Sequence, residues 1–161
     1  MKALTVWQPW ASLLVLPLDH CRRPKTFETR PWDTRYRGPL AIHAAKTEPA
    51  WVRDAWMSEP RLRSVLTTYL TEWASPPEVI FDELPRGAIV GRLTLDAVLP
   101  ASCNPPDPMD ALLGDFSPGQ YAWSTSHPHR LVIPVPYRGS QGLWGIPDDL
   151  LVGQEWEACD S

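Results

Sequence analysis

Apolar and polar positions alternate most tellingly between Lys25 and Lys46, KTFETRPWDTRYRGPLAIHAAK, where two strand-like runs follow one another. In the first, Lys25 to Trp32, an extended chain sends Thr26, Glu28, Arg30 and Trp32 to one side and Lys25, Phe27 and Thr29 to the other. In the second, Pro39 to Ala45, Leu40, Ile42 and Ala44 point one way and His43 the other, and Tyr36-Arg37-Gly38 between the runs reads as a turn. Upstream, Lys2 to Trp7 is a short strand. Pro9 then suits a first helical turn, with Trp10 to Leu16 as a small buried helix that Pro17 ends and Leu18 to Pro24 as a loop. Downstream, Glu48 to Trp56 and Arg61 to Trp73 read as two helices. Leu62, Val65, Leu66, Tyr69, Leu70 and Trp73 form one apolar stripe on the second, which points to core contact. Ala88 to Val98 is the clearest strand, and Gly91 inside it suggests a bulge or a close approach of other backbone. Gln120 to Ser124 and Leu131 to Tyr137 are two further strands, the last pushed to a sheet edge by Pro134 and Pro136. Pro100 to Pro108 reads as a loop without identifiable chemistry, and Gly114 to Gly119 as a cluster of turns.

A length of 161 residues fits one domain, with the helical stretch at about 48–74 as an insertion in it, and is enough to bury a core without disulfides or metal. The 19 prolines favour a β-rich fold with irregular connections. Of the nine tryptophans, about two-thirds are expected to pack inside, leaving the rest to stack on something. Cys21, Cys103 and Cys159 are too few and too scattered for a disulfide framework or a zinc site, so reduced thiols, a cytoplasmic location, no metal and no cofactor are expected. The opening run is interrupted by Gln8 and Pro9, which argues against a secretory leader or a membrane span.

The net charge of −4 speaks against wrapping of long duplexes, which relies on many cations neutralising phosphates. Cations nevertheless gather between Arg22 and Lys46, while Asp148 to Asp160 is acidic, and this asymmetry suits a short or single-stranded anionic ligand. Glu28 and Arg30, two apart on one face, present a planar hydrogen-bonding edge to a ligand; the plainer reading is a structural ion pair. Gln8-Pro9-Trp10 reads either as helix initiation or as a strand-to-helix junction that binds a nucleobase or phosphate. His43 is a lone histidine on a strand, more often structural than catalytic. Tyr137-Arg138-Gly139 echoes Tyr36-Arg37-Gly38, so two such turns are expected to flank one cleft.

Taken together, Trp7-Gln8-Pro9-Trp10-Ala11-Ser12, then Lys25 with Glu28, Arg30 and Trp32, then Tyr36-Arg37-Gly38-Pro39-Leu40 and Ile42-His43-Ala44, and finally Leu84 to Gly91 resemble the ASCH (activating signal cointegrator-1 homology) family. The match spans roughly the first two-thirds, and Gly114 to Trp144 looks like the distal part of bacterial and phage members. The resemblance implies an α+β, PUA-like fold: a mixed β-barrel flanked by helices, with a cleft beside it for RNA, single-stranded nucleic acid or a nucleobase. It places Gln8, Pro9, Trp10, Lys25, Glu28 and Arg30 along that cleft. Some relatives are amidohydrolases of modified cytidine that use a Lys, a Thr three residues later and a distant Glu. Lys25 matches the Lys, but Glu28 stands where the Thr would be. Other relatives are reported to cut RNA.

The leading expectation is therefore a nucleic-acid-binding module that recognises RNA, single-stranded DNA or a modified base, with no membrane partner. Trp10, Trp32 and Tyr36 stack, Arg30, Arg37 and Lys46 hold phosphate, and Glu28 accepts from a base amino group. One competing class is a nucleoside amidohydrolase or ribonuclease in which Lys25, desolvated, acts as a base with Glu28 or His43 assisting. Another is a protein-interaction module anchored by aromatics.

Overall fold

A computed structural model describes residues 1–18, 22–71, 73–103 and 106–158, so Cys21 and Cys159 lie outside the described residues, as do parts of the expected loops at 18–24 and 100–108. Six strands, β1 (Lys2–Val6), β2 (Phe27–Arg30), β3 (Gly38–Ala44), β4 (Ala88–Pro100), β5 (Tyr121–Pro136) and β6 (Leu143–Gly145), form one curled sheet in the order β2-β5-β4-β3-β1-β6. The β1/β3 pair is parallel and the other pairings are antiparallel. Five helices, α1 (Trp10–Leu14), α2 (Ala50–Ser58), α3 (Pro60–Tyr69), α4 (Pro77–Glu83) and α5 (Pro108–Leu113), accompany the sheet.

The short helix α1 is buried on all sides because it serves two cores at once. Leu14 and the following Val15 join Leu4, Val6, Leu40, Ile42, Leu93, Leu95 and Trp123 on the sheet. Leu13 and Leu16 join Val52, Trp56, Val65, Leu66, Ile80, Phe81 and Leu113 among the helices. Each fully buried large side chain here contributes roughly 1.5–3 kcal/mol relative to exposure, which outweighs the poor intrinsic stability of a five-residue helix. A third core, Ala3, Ala41, Ile89, Leu131, Ile146 and Leu151, covers the opposite face of the sheet.

Several expectations are revised. The two strands read at 120–124 and 131–137 are one long strand, β5, bent where His127 takes a positive φ and where its register with β4 slips three times. Its first half lies between β2 and β4. Beyond Arg130 β4 still pairs with it at Ile89 and Ala88, while on the other edge, among the described residues, the C-terminal tail replaces β2 through Val132 N to Glu155 O and Glu157 N to Arg130 O; Pro134 and Pro136 sit in this stretch, where a missing N–H is tolerated. The apolar stripe holds through Leu62, Val65, Leu66, Tyr69 and Leu70, but α3 ends at Tyr69 and Trp73 is 79% exposed. Gly91 is both a bulge position and a close approach: a Cβ there would run into the carbonyl of His129 and the side chain of Val15.

Candidate functional site

The polar stretch from Lys25 to Lys46 does not form one surface. Arg23 and Lys25 are interior: Arg23 donates to Leu14 O, Thr125 O and Thr125 Oγ1 at 2.8–2.9 Å, and burial pulls its pKa down to about 10. Lys25 is 1% exposed and donates from Nζ to Leu113 O at 3.1 Å. Burial pushes the pKa of this amine below its ordinary value, against the opposing pull of Glu28 and then Asp110. The expected basic cleft is thus thinner in surface charge than the sequence suggests.

Beside this lysine lies a cavity of about 370 Å³, lined by the end of β1 (Thr5, Val6), by Trp7 and Trp10, by β2 and Pro31, and by the segment from Leu112 to Asp115. Glu28 and Arg30 share this wall, as the alternation predicts, yet no ion pair joins them. Glu28 Oε1 accepts from the backbone N–H of Thr29 at 2.9 Å, and Arg30 Nη2 donates to Thr5 O at 2.8 Å. Glu28 Oε2 and Arg30 Nε are buried and have no hydrogen-bond partner among the described residues. These two atoms are sealed behind the cavity surface, as are Arg23 Nε, Trp56 Nε1 and Trp123 Nε1, so it is the residues Glu28 and Arg30, side by side in one wall, that the cavity meets.

The expected loop to Pro108 and turn cluster from Gly114 leave residues 109–113 between them unassigned, and the structure puts α5 there, with residues 112–115 in the cavity lining. The buried carboxylate of Asp110 accepts from Thr26 N at 2.9 Å, from Phe27 N at 3.3 Å and from Thr26 Oγ1. Asp115 N donates to Thr29 Oγ1 at 2.9 Å, and Lys25 holds the Leu113 carbonyl. The N-terminal signature Asp107-Pro108, with Asp107 accepting from Asp110 N, is the sequence signal that marks this short helix. At the rim, Trp7 (41% exposed) meets Trp51 (58% exposed) edge to face with centroids 5.9 Å apart. Trp51 was not singled out in the sequence, because helical spacing gives no sign that its ring meets Trp7.

The remaining candidates lie elsewhere. Gln8 is fully buried and its amide is saturated: Nε2 donates to Ser12 Oγ and Pro85 O, both at 2.8 Å, and Oε1 accepts from Ser12 N at 3.0 Å. Gln8 and the buried Pro9 thus start the helix and clamp it to the turn before β4. Trp10 lines the cavity and leans on Trp56, whereas Trp32 packs edge-on against Trp123 at 4.8 Å in the sheet core. Tyr36 donates to Pro39 O and Arg37 to Thr34 O and Tyr36 O, so both brace their own loop. The two Tyr-Arg-Gly turns do not share a cleft. Tyr36 rims a small hollow with Met1, Lys2, Gly145 and Ile146, while Tyr137, Arg138 and Gly139 line a separate cavity of about 740 Å³ with His43, Ala45, Lys46 and Thr47.

His43 is buried between these elements. Tyr137 O, 2.7 Å from Nε2, can only accept, so the proton is assigned to Nε2; Nδ1 then accepts from Thr5 Oγ1 at 3.3 Å, which in turn accepts from Trp144 Nε1 at 3.2 Å. Burial lowers the pKa of His43, and this keeps it neutral in that structural relay. Among the described residues no group of three His, Cys, Asp or Glu could hold a metal ion, and no helix is long and apolar enough to cross a membrane.

Sheet order, the buried α1 and the cavity at the β1/β2 margin define a PUA-like α+β fold. The chain is similar in structure to ASCH from Zymomonas mobilis, with a TM-score of 0.51 at 11% identity over 99% of this chain and 97% of that one. A point mutant of the same Zymomonas protein gives a TM-score of 0.51 at 10% identity over 96% of this chain and 98% of that one. The fold is therefore that of ASCH domains, the family that the motifs of the sequence resemble. No family model matches the sequence, and neither does any curated protein.

Proposed function

We propose that the chain is a nucleic-acid-binding module that takes a single, unstacked base into the cavity between β1, β2 and the end of α5. The observation that carries this reading is the carboxylate of Glu28 and the guanidinium of Arg30 side by side in one wall of a cavity that Trp7 and Trp10 also line. A carboxylate acceptor beside a guanidinium donor suits a base edge that presents a donor beside an acceptor, which an aliphatic or purely anionic ligand lacks. A volume of about 370 Å³ suits one base with its sugar. Trp7 and Trp10 supply aromatic faces, each such stack contributing roughly 1–3 kcal/mol.

Titration with short single-stranded RNA and DNA and with free nucleosides, followed by tryptophan fluorescence at two salt concentrations, tests the reading. Quenching that weakens by roughly tenfold in Glu28→Gln, and by a similar factor in Arg30→Met, is expected if each meets one base atom, since a well-made base contact is worth about 1–3 kcal/mol. A surface variant away from the cavity, Arg61→Ala, serves as control and leaves the response intact. Unchanged affinity in both cavity variants overturns the reading.

One observation favours a second reading. Lys25 is a fully buried amine with a lowered pKa next to a carboxylate, the environment that turns a lysine into a base at near-neutral pH. A nucleoside amidohydrolase or ribonuclease using Lys25 and Glu28 would turn over acylated nucleosides or RNA, and Lys25→Met would abolish turnover while sparing binding of the product. Absence of turnover by the unaltered protein removes this reading and leaves the binding module.

A further inference from the structure

The cavity of about 740 Å³ beside His43 carries cations without counter-charges. Lys46 and Arg138 both line it, both are exposed, and neither takes part in an ion pair or side-chain hydrogen bond among the described residues. The third cation of the lining, Arg86, is neutralised: Nη2 meets Glu48 Oε1 at 2.8 Å and Nε meets Oε2 at 2.9 Å. Arg53 on Asp82, Arg63 on Glu78 and Arg130 on Glu157 are paired likewise. Lys2, Arg35, Arg37 and Arg92 also form no ion pair among the described residues; what sets Lys46 and Arg138 apart is that both line one hollow, in a chain of net charge −4.

The floor of the hollow is rigid. A side chain on Gly139 would come within 2.6 Å of His43 Cε1 and 2.9 Å of Thr5 Oγ1, so the backbone carrying Arg138 is seated directly on the Thr5–His43 relay. On the other side, Ala45 N donates to Val6 O at 3.0 Å, which fixes the start of the Lys46 segment against the end of β1. Thr5 lines both this hollow and the base-sized cavity, so the two adjoin at the C-terminal ends of the parallel strands β1 and β3.

We infer that this second cavity is a phosphodiester site in which Lys46 and Arg138 hold the backbone of a single strand whose base enters the first cavity. The ligand is on this view a strand of two or more nucleotides and not a free nucleoside. The position along the strand rests on the base-binding reading; the anion site itself rests on the unpaired charges alone.

Two probes separate the claims: a short single-stranded oligonucleotide, and an abasic phosphodiester oligomer that has backbone but no bases. Each is titrated against the unaltered protein, Lys46→Gln/Arg138→Gln and Glu28→Gln over a range of salt. For single strands each neutralised phosphate contributes about 0.7 to the slope of log affinity against log salt, so the double variant is expected to lose about 1.4 of slope. Oligonucleotide affinity then falls roughly tenfold at low salt, while free-nucleoside binding is unchanged. Abasic oligomer binding is expected to vanish in the double variant and to persist in Glu28→Gln. A salt slope unaltered in the double variant, or no binding of the abasic oligomer to the unaltered protein, overturns the phosphodiester site. Binding of the abasic oligomer with no response to bases overturns the base pocket and leaves the anion site standing.

Discussion

Asp110→Ala is the sharpest test of how the base-sized cavity is built, because one buried carboxylate ties its outer wall to its floor. Asp110 accepts from two backbone amides, Thr26 N and Phe27 N, and from the Thr26 hydroxyl. Bonds to a charged acceptor are worth about 1.5–3 kcal/mol each, but three on one group are not additive. The side chain is 3% exposed, so truncation also strands two amides and removes one of the two carboxylates that act on each interior cation, leaving Arg23 with Asp96 and Lys25 with Glu28. The comparable loss of one partner from a buried charged pair costs about 3–5 kcal/mol, and we expect that range here. With a urea slope of about 2 kcal/mol per molar for a domain of this size, the unfolding midpoint should fall by roughly 2 M. Asp110→Asn keeps an oxygen for the two amides while removing the charge, so its loss should be smaller, about 1–2 kcal/mol. Urea unfolding monitored by tryptophan fluorescence gives both numbers. A midpoint for Asp110→Ala within about 0.5 M of the unaltered protein would refute the reasoning, since the wall would then be held by packing of Leu113 alone.

Two further outcomes follow from the interior polar groups. Lys25 is held below its ordinary pKa in the folded state, so between that lowered value and about 10.5 the unfolded chain binds more protons, and stability rises with pH across that window. Relative to Lys25→Met, the unaltered protein should therefore gain stability between pH 7 and pH 10; a pH-independent difference in paired urea curves counts against a depressed pKa. Gln8→Ala leaves Pro85 O and Ser12 unpaired and should cost about 1–3 kcal/mol in thermal or urea unfolding, yet leave nucleoside affinity unchanged in the folded protein, whereas a matching loss of affinity would make Gln8 a ligand contact after all.

Local pattern determined much of this chain. The alternation from Thr26 to Trp32 put Glu28 and Arg30 on one wall, the Pro9 position marked a helix start, and the apolar spacing of Leu62 to Leu70 placed α3 on its core, because each rests on a period of two or 3.6 residues or on the fixed φ of proline. The motifs also anticipated the ASCH-type fold. Tertiary structure alone decided which of these residues face a ligand. Nothing local to Gln8 shows that Pro85, 77 residues away, and Ser12 saturate its amide, nor that Arg23 and Lys25 turn inward to carbonyls of Leu14 and Leu113. The similarity of the two Tyr-Arg-Gly turns is equally silent about their separation, since strand order, not sequence, sends one to each of two hollows. The outer wall at Asp110 and the free charges of Lys46 and Arg138 share that origin. Hydrogen bonding and charge compensation depend on which groups meet across the fold, and that is set by packing between segments far apart in the chain.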